Sequence, residues 1–339
     1  MKFKQIVFTE KNVAKLLDVD AHELAPNEVM VETMISTISC GTERANIAGD
    51  ANVGIYDTVS SGFPRTSGYN SAGIVVKKGA DVKSVDIGDR VVVFWGKHID
   101  YNIVPENQVV RIEDDSISFE TAAMSFISAF PMAAIRKTRL EMGESAIVMG
   151  LGILGMIAVK LLRTAGAVPI IAADPNPLRR EIALKNGADY ALDPLSDCFA
   201  EEVKKITNGG VNVAIEVTGV GAGFNEALDC MAKFGRVALL GCTRNSDFTV
   251  DYYRKIHGPG ITVIGAHTLA RPNFESHPGW FTHRDDIKAV LNLCGGDRIN
   301  LEILIEETHS PLECEDVYQR LIFDKRFPIV VQFDWRCLK

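Results

Sequence analysis

Gly150-Leu151-Gly152-Ile153-Leu154-Gly155 is a GxGxxG run. It follows the apolar segment Ala146-Ile147-Val148-Met149 and opens a helix-forming stretch, Met156 to Leu162. Glycine is common, so the pattern alone carries little; its place between a buried strand and a helix gives it chemical content. The first glycine permits a tight turn, the second lets a diphosphate approach the backbone, and the third lets helix and strand pack closely. Free N–H groups and the positive end of the helix then favour phosphate oxygens, with Ile153 and Leu154 counted among the binding residues. The next apolar run, Val168 to Ala173, ends at Asp174. A carboxylate there can accept hydrogen bonds from both hydroxyls of an adenosine ribose and would repel a 2′-phosphate. NAD(H) is therefore the expected cofactor, with Asp174 and Arg179 among its contacts; Arg179 and Arg180 pull toward NADP(H). The competing reading is a glycine turn with no ligand, and strand, helix and acid together disfavour it.

The elements that must position these residues fall into two textures. Before Ser118 the chain reads as short β segments, Val29 to Met34, Gly73 to Val76 and Asp89 to Phe94, separated by turns at Lys78-Gly79-Ala80-Asp81 and Asp86-Ile87-Gly88-Asp89. Such glycine-bearing antiparallel structure suggests a small barrel. Phe119 to Lys137 reads as one helix. From Ser145 strands (Ala146–Met149, Val168–Ala173, Tyr190–Leu192, Val211–Glu216, Arg236–Leu240, Ile261–Ile264) alternate with helices (Gly155–Ala165, Leu178–Asn186, Glu201–Thr207, Gly223–Lys233). Continuous apolar strands separated by helices indicate a parallel sheet covered on both faces. A helix near Asp285 to Leu293 and a strand Pro328 to Phe333 close the chain. The expected division is 1–121, a dinucleotide-binding domain at 122–268, and a returning segment at 269–339.

Composition bounds the partners. At 339 residues the chain exceeds what one core usually serves. The net charge of −8 and the absence of a Lys/Arg-rich run speak against nucleic acid and anionic membranes. No apolar run is long enough for a bilayer, and Met1 to Glu10 lacks the apolar core of a signal peptide. Seven scattered cysteines without a CxxC pair suit reduced thiols, so a cytoplasmic protein is expected.

With these residues placed, the chain resembles the medium-chain dehydrogenase/reductase family, of the zinc alcohol and polyol dehydrogenase kind, over essentially its whole length. The landmarks are Cys40-Gly41-Thr42-Glu43, Gly68-Tyr69-Asn70-Ser71-Ala72-Gly73, Gly88-Asp89-Arg90-Val91, the GxGxxG, Glu216-Val217-Thr218-Gly219 and Gly235 to Gly241. The resemblance implies an α/β fold in which a Rossmann doubly wound parallel sheet is inserted into a GroES-like, mainly β catalytic domain. It implies a substrate cleft between the two domains. It also implies cofactor contacts at Val217, Thr218, Leu240, Gly241, Cys242, Gly265, Ala266 and His267. A homodimer or homotetramer pairing through the edge strand Ile261 to Ile264 follows from the family alone.

The zinc pattern of that family is broken here. Its ligands are a Cys, a His in a Gly-His-Glu run, and a further Cys or Glu. Cys40 stands at the first position, Tyr69 and Asn70 replace His and Glu, and Phe126 occupies the last. One ligand does not hold zinc, so no metal is expected in the standard site. Cys40, Glu43 and His98 remain as a conceivable displaced site, against buried structural roles for Cys40 and His98.

Without a Lewis acid, hydride transfer at a carbinol carbon still requires removal of the hydroxyl proton. Thr42 matches the family position whose hydroxyl relays that proton. Tyr69 offers a phenol to the substrate oxygen or merely fills the space left by zinc. A phenol's reference pKa of about 10 is high for a base, so a cationic neighbour such as Arg44 or a histidine is needed. The candidate catalytic set is Thr42, Tyr69, Cys40 and His98. Glu43, Phe126, Arg271 and Trp280 are expected at the substrate cleft; the polar, aromatic stretch from His267 to His283 suits a sugar or cyclitol, or is a solvated loop. The leading function is NAD(H)-dependent oxidation of a secondary alcohol on a polyol or sugar-like small molecule. The alternatives are a zinc-free enone or quinone reductase, and a non-catalytic NAD-binding sensor.

Overall fold

Val29, Val31, Val75, Val91, Val93, Val104 and Val109 project from their strands into one core, while Met30, Val92 and Val110 between or beside them are buried too, so these strands are covered on both faces. The computed structural model describes residues 2–50 and 62–338, and the remainder of the expected first domain lies outside the described residues. The chain opens with β1 (Lys2–Glu10), β2 (Val13–Asp20), β3 (Glu28–Thr37) and α1 (Cys40–Ala48). Next come β4 (Arg65–Thr66), β5 (Asn70–Lys78), β6 (Arg90–Phe94), β7 (Tyr101–Pro105), β8 (Val109–Arg111), α2 (Phe119–Ala122) and α3 (Ser125–Thr138). Strands and helices then alternate: β9 (Ala146–Met149), α4 (Ile153–Thr164), β10 (Ile170–Ala173), α5 (Pro177–Lys185), β11 (Tyr190–Leu192), α6 (Phe199–Ile206), β12 (Val211–Glu216), α7 (Gly221–Asp229), β13 (Met231–Leu239), β14 (Thr262–Gly265). The chain ends with α8 (His283–Gly295), β15 (Ile305–His309), α9 (Cys314–Phe323) and β16 (Val330–Asp334).

The chain divides into two units, 1–127 with 287–339, and 128–286. In the first, β2-β1-β4 form an antiparallel sheet, and β15-β16-β3-β5-β6-β8 form a larger one with β7 also paired to β3. β16 pairs antiparallel with β3 through Gln332 and Thr37, so the carboxyl-terminal segment completes the sheet begun by the amino-terminal one. Phe8, Ile38, Tyr318, Phe333 and Trp335 close a second core there. In the second unit six parallel strands run in the order β11-β10-β9-β12-β13-β14. The order reverses between β9 and β12, the switch point at which open α/β sheets bind ligands beyond their carboxyl ends.

Three details differ from the sequence reading. The single helix expected over Phe119 to Lys137 is broken: α2 is capped by Ser118 Oγ, and Met124 N–H turns back to Thr121 O at 3.1 Å before α3 begins. The helix expected over Gly223 to Lys233 ends at Asp229, and Met231 to Lys233 join β13, where a register shift against β12 places Phe234 at φ +64°. The boundaries expected at 121/122 and 268/269 fall at 127/128 and 286/287. The second shift has a clear cause. Arg271 donates to Thr268 O, to Ala129 O and to the buried Asp286 carboxylate, which Arg136 also meets at 3.0 Å. Residues 269–286 are thus riveted to α3. Replacing Asp286 by Ala leaves two guanidinium groups facing one another and costs about 3–5 kcal/mol in urea denaturation; an unchanged midpoint and slope contradict this.

Candidate functional site

At the carboxyl end of β9 the chain turns through Gly150, whose φ is +95° and whose N–H reaches Ala173 O at 2.7 Å. A methyl group at Gly155 would overlap the Gly150 carbonyl oxygen, so α4 sits directly on the turn. Gly152, the residue that caps α4, has open space where a side chain would project. The three glycines thus serve a left-handed turn, an uncovered backbone and a close helix approach. Ile153 is buried in the helix and Leu154 half-buried beside it. No side chain of its own caps α4, which leaves its first N–H groups for an anion.

Asp174 follows β10. Its Oδ2 accepts the Leu151 N–H at 2.8 Å and its Oδ1 the Asn176 N–H at 2.8 Å. Arg179 lies 3.8 Å from Oδ2. Arg180 is spent on the carbonyls of Asp174 and Pro175 and on Asp193. A carboxylate has about four lone-pair sites, so two remain for other donors. Further along the sheet edge, the buried Glu216 carboxylate accepts from the Thr218 N–H at 2.7 Å, from the Thr218 hydroxyl and from the Gly219 N–H. Burial pushes Glu216 above the usual carboxylate range against those hydrogen bonds. Val217 N–H reaches Met149 O, and Leu240 and Gly241 N–H both reach Glu216 O. Gly241 packs against Val217 and Gly219, Cys242 is exposed, and Ala266 N–H reaches Leu239 O at 3.0 Å. Gly265 is open like Gly152. The half-buried His267 is lowered in proton affinity by burial, Lys137 and Arg244.

In the other unit, Glu43 and His98 are fully buried and paired, with His98 Nε2 at 3.2 and 3.3 Å from the two carboxylate oxygens. Tyr318 Oη donates to Glu43 Oε2 at 2.5 Å and the Ser39 N–H to Oε1 at 2.9 Å. Ser36 Oγ sits 2.7 Å from His98 Nδ1 and accepts from Trp335 Nε1. Burial pushes the Glu43 carboxyl up, but the His98 charge and the hydrogen bonds from His98, Tyr318 and Ser39 outweigh it and hold it below its ordinary value. Tyr318 is pushed well above the usual phenol range by burial and by Glu43.

Tyr69 Oη donates to Ser39 Oγ at 2.5 Å. Its ring packs against Trp95 and Phe126, with centroids 5.6 and 5.8 Å away, and Phe94 meets Phe126 at 5.2 Å. Asn70 is fully buried with neither amide atom hydrogen-bonded among the described residues. Cys40 Sγ faces the carbonyls of Ile38 and Ile329. Thr42 is half-buried in α1, and Arg44 donates to Leu321 O. The structure therefore joins Glu43 to His98 but brings no third donor to them: among the described residues no three His, Cys, Asp or Glu side chains form a group that could hold a metal ion. At the positions expected from the resemblance to hold zinc stand Cys40, Tyr69, Asn70 and Phe126, and one thiolate among them does not fit zinc.

Of the expected cleft residues, Arg271 is spent inside its own unit on Asp286 and on backbone, and Trp280 is 36% exposed with its ring over Lys137 Nζ at 4.5 Å. Lys137 and Ser39 were not singled out by the sequence, and Glu216 was named there only within a family landmark. Lys137 had one signal, a lysine beside Arg136 in the last turn of a mostly apolar helix.

A family model described as a zinc-binding dehydrogenase matches residues 154–278. The L-threonine 3-dehydrogenase of Pyrococcus horikoshii is 26% identical over 325 residues, covering 88% of each chain. The D-guloside 3-dehydrogenase of Escherichia coli K12 is 24% identical, covering 94% of this chain and 96% of its own. A protein from Sinorhizobium meliloti 1021 solved with NADP superposes with a TM-score of 0.81 at 20% identity, over 98% of this chain and 99% of its own. An alcohol dehydrogenase from Escherichia coli CFT073 solved with NADH does so at 0.83 and 17%, over 98% and 99%. These matches support the resemblance to the medium-chain dehydrogenase/reductase family, of the zinc-type alcohol dehydrogenase-like kind. The architecture of the chain is the Rossmann sheet inserted into a GroES-like domain. No helix among the described residues is long and apolar enough to cross a membrane.

Two substitutions separate the glycine roles. Gly152→Val retains the parent's thermal stability but weakens NADH binding at least about tenfold by calorimetry, about 1.4 kcal/mol. Gly155→Val, which forces a branched side chain into a carbonyl, lowers stability as well. Equal behaviour of the two would contradict the assignment. Glu43→Ala strands His98 and costs about 3–5 kcal/mol. Because the folded carboxyl sits below its unfolded value, that stability is present at neutral pH and is lost as pH falls through the folded pKa. A stability-against-pH curve whose acid limb is identical in parent and variant refutes this.

Proposed function

We propose that this protein is an NAD(H)-dependent dehydrogenase that oxidises a secondary alcohol of a polyol or sugar-like substrate to a ketone, without zinc at the family's catalytic position. The observation that carries the cofactor half is the uncovered backbone at Gly152, at the start of an uncapped helix and one residue from Leu151, which Asp174 holds. Gly150 to Leu154 take the diphosphate. The remaining lone pairs of Asp174 take the adenosine ribose and disfavour a 2′-phosphate, and Arg180 is already committed elsewhere. When bound, the nicotinamide supplies the hydride acceptor. The relatives named for threonine and guloside oxidation support an alcohol substrate, and neighbours solved with NADP and with NADH support a nicotinamide dinucleotide.

The chain's own groups must then move the hydroxyl proton. Tyr69 Oη, whose own hydrogen goes to Ser39 Oγ, accepts a hydrogen bond from the substrate hydroxyl, and Thr42 Oγ1 relays the released proton to solvent water. Glu43 and His98 anchor α1 from within rather than touch substrate. The same reading makes the protein cytoplasmic and a homodimer or homotetramer pairing through β14, the edge of its sheet.

The test is a screen of polyols and sugars with NAD+, with EDTA and added zinc as controls. Turnover unaffected by chelation is expected, and Tyr69→Phe lowers kcat by about 10²–10⁴-fold. Activity that appears only with added zinc refutes the metal-free site. Turnover of enones with NADPH in place of alcohols establishes a reductase. NADH binding without turnover of either class establishes a sensor.

A further inference from the structure

With the diphosphate at α4 and the adenosine half on the β10 side, the second half of a dinucleotide lies over the ends of β12, β13 and β14. At the end of β14, Gly265 leaves its backbone uncovered. That strand end is held by one cation. Lys137, near the carboxyl end of α3, donates from Nζ to Gly265 O at 3.1 Å and to Ala270 O at 2.5 Å, beneath the face of Trp280. We propose that Lys137 is a positioning residue for the nicotinamide end of the cofactor, tying Gly265 to Ala270 so that the backbone of Gly265 to His267 is set before the nicotinamide arrives. This rests on the dinucleotide site of the preceding section.

A buried lysine is costly to place, and lysines are rarely buried unless paired. Lys137 is 7% exposed, with no carboxylate ion-paired to it among the described residues. Its three donors are met instead by two carbonyls and a ring face. Those two carbonyls bracket the segment 265–270, so the ammonium joins its two ends, while Ala266 N–H to Leu239 O and Arg271 to Thr268 O hold points between them. The groups facing Lys137 are Arg271 from the 269–286 segment, Asp286 at the start of α8 and His267 after β14. Burial, and then Arg271, bring the ammonium down to about 8, with Asp286 acting the other way. The tie is charged at neutral pH and is lost as pH rises through about 8.

The test compares NADH with ADP-ribose, which keeps the adenosine, diphosphate and second ribose but lacks the nicotinamide, by calorimetry on the full chain. In Lys137→Met, NADH affinity falls about tenfold while ADP-ribose affinity stays within about twofold. The retained ADP-ribose binding also verifies folding. In the parent, raising pH from about 7 to about 9 weakens NADH more than ADP-ribose, a measurement that needs no variant. Equal loss of both ligands in Lys137→Met, or no loss of either, together with parallel pH curves in the parent, overturns the role of Lys137 alone. A parent that binds neither ligand overturns the dinucleotide site and this role with it.

Discussion

A backbone turn can offer its amides to a ligand only if something else fixes it, because the ligand cannot also be the scaffold. Here the fixing is done from two sides. The Asp174 carboxylate holds the Leu151 N–H from β10, and α4 presses on the Gly150 carbonyl through the missing side chain of Gly155. The result is a turn that is rigid and bare at Gly152. Everything assigned to the second unit follows from that arrangement. The proposed diphosphate position sets where the adenosine half would lie, and the strand order then sets where the other half would extend.

The first unit solves a different problem. Where α1, the start of β5 and the start of α3 meet, Tyr69, Phe126, Phe94 and Trp95 form one aromatic cluster. Deeper in, the Glu43–His98 pair would be an unfavourable pair of buried charges if it stood alone. Tyr318, Ser39 and Ser36 meet its remaining donors and acceptors, which makes a closed polar network that fixes α1. Ser39 links the two layers: its N–H goes to Glu43 and its hydroxyl accepts from Tyr69.

Much of this was legible in the sequence because the relevant signals are local. The alternation of apolar strands with helices from Ser145 onward fixes a parallel sheet, and GxGxxG between strand and helix locates its turn. What the sequence did not disclose depends on contacts between distant residues. Arg271 read as a cleft residue because a guanidinium in a polar stretch resembles a ligand contact; only the fold shows Asp286 and Ala129 O beside it. The helix α9 was missed although Cys314, Val317, Tyr318 and Leu321 recur at helical spacing, whereas the strand β1 and its hairpin partner β2 gain their definition from packing. The break after α2 and the early end of α7 were missed for the same reason, since β13 begins where pairing with Val211 starts.

The most direct measurement is a crystal structure of the full chain soaked with NADH. The account requires diphosphate density against the amides at Gly152 and Ile153, with the adenosine ribose hydroxyls on Asp174. An empty crevice at saturating NADH, or the dinucleotide bound away from α4, contradicts it.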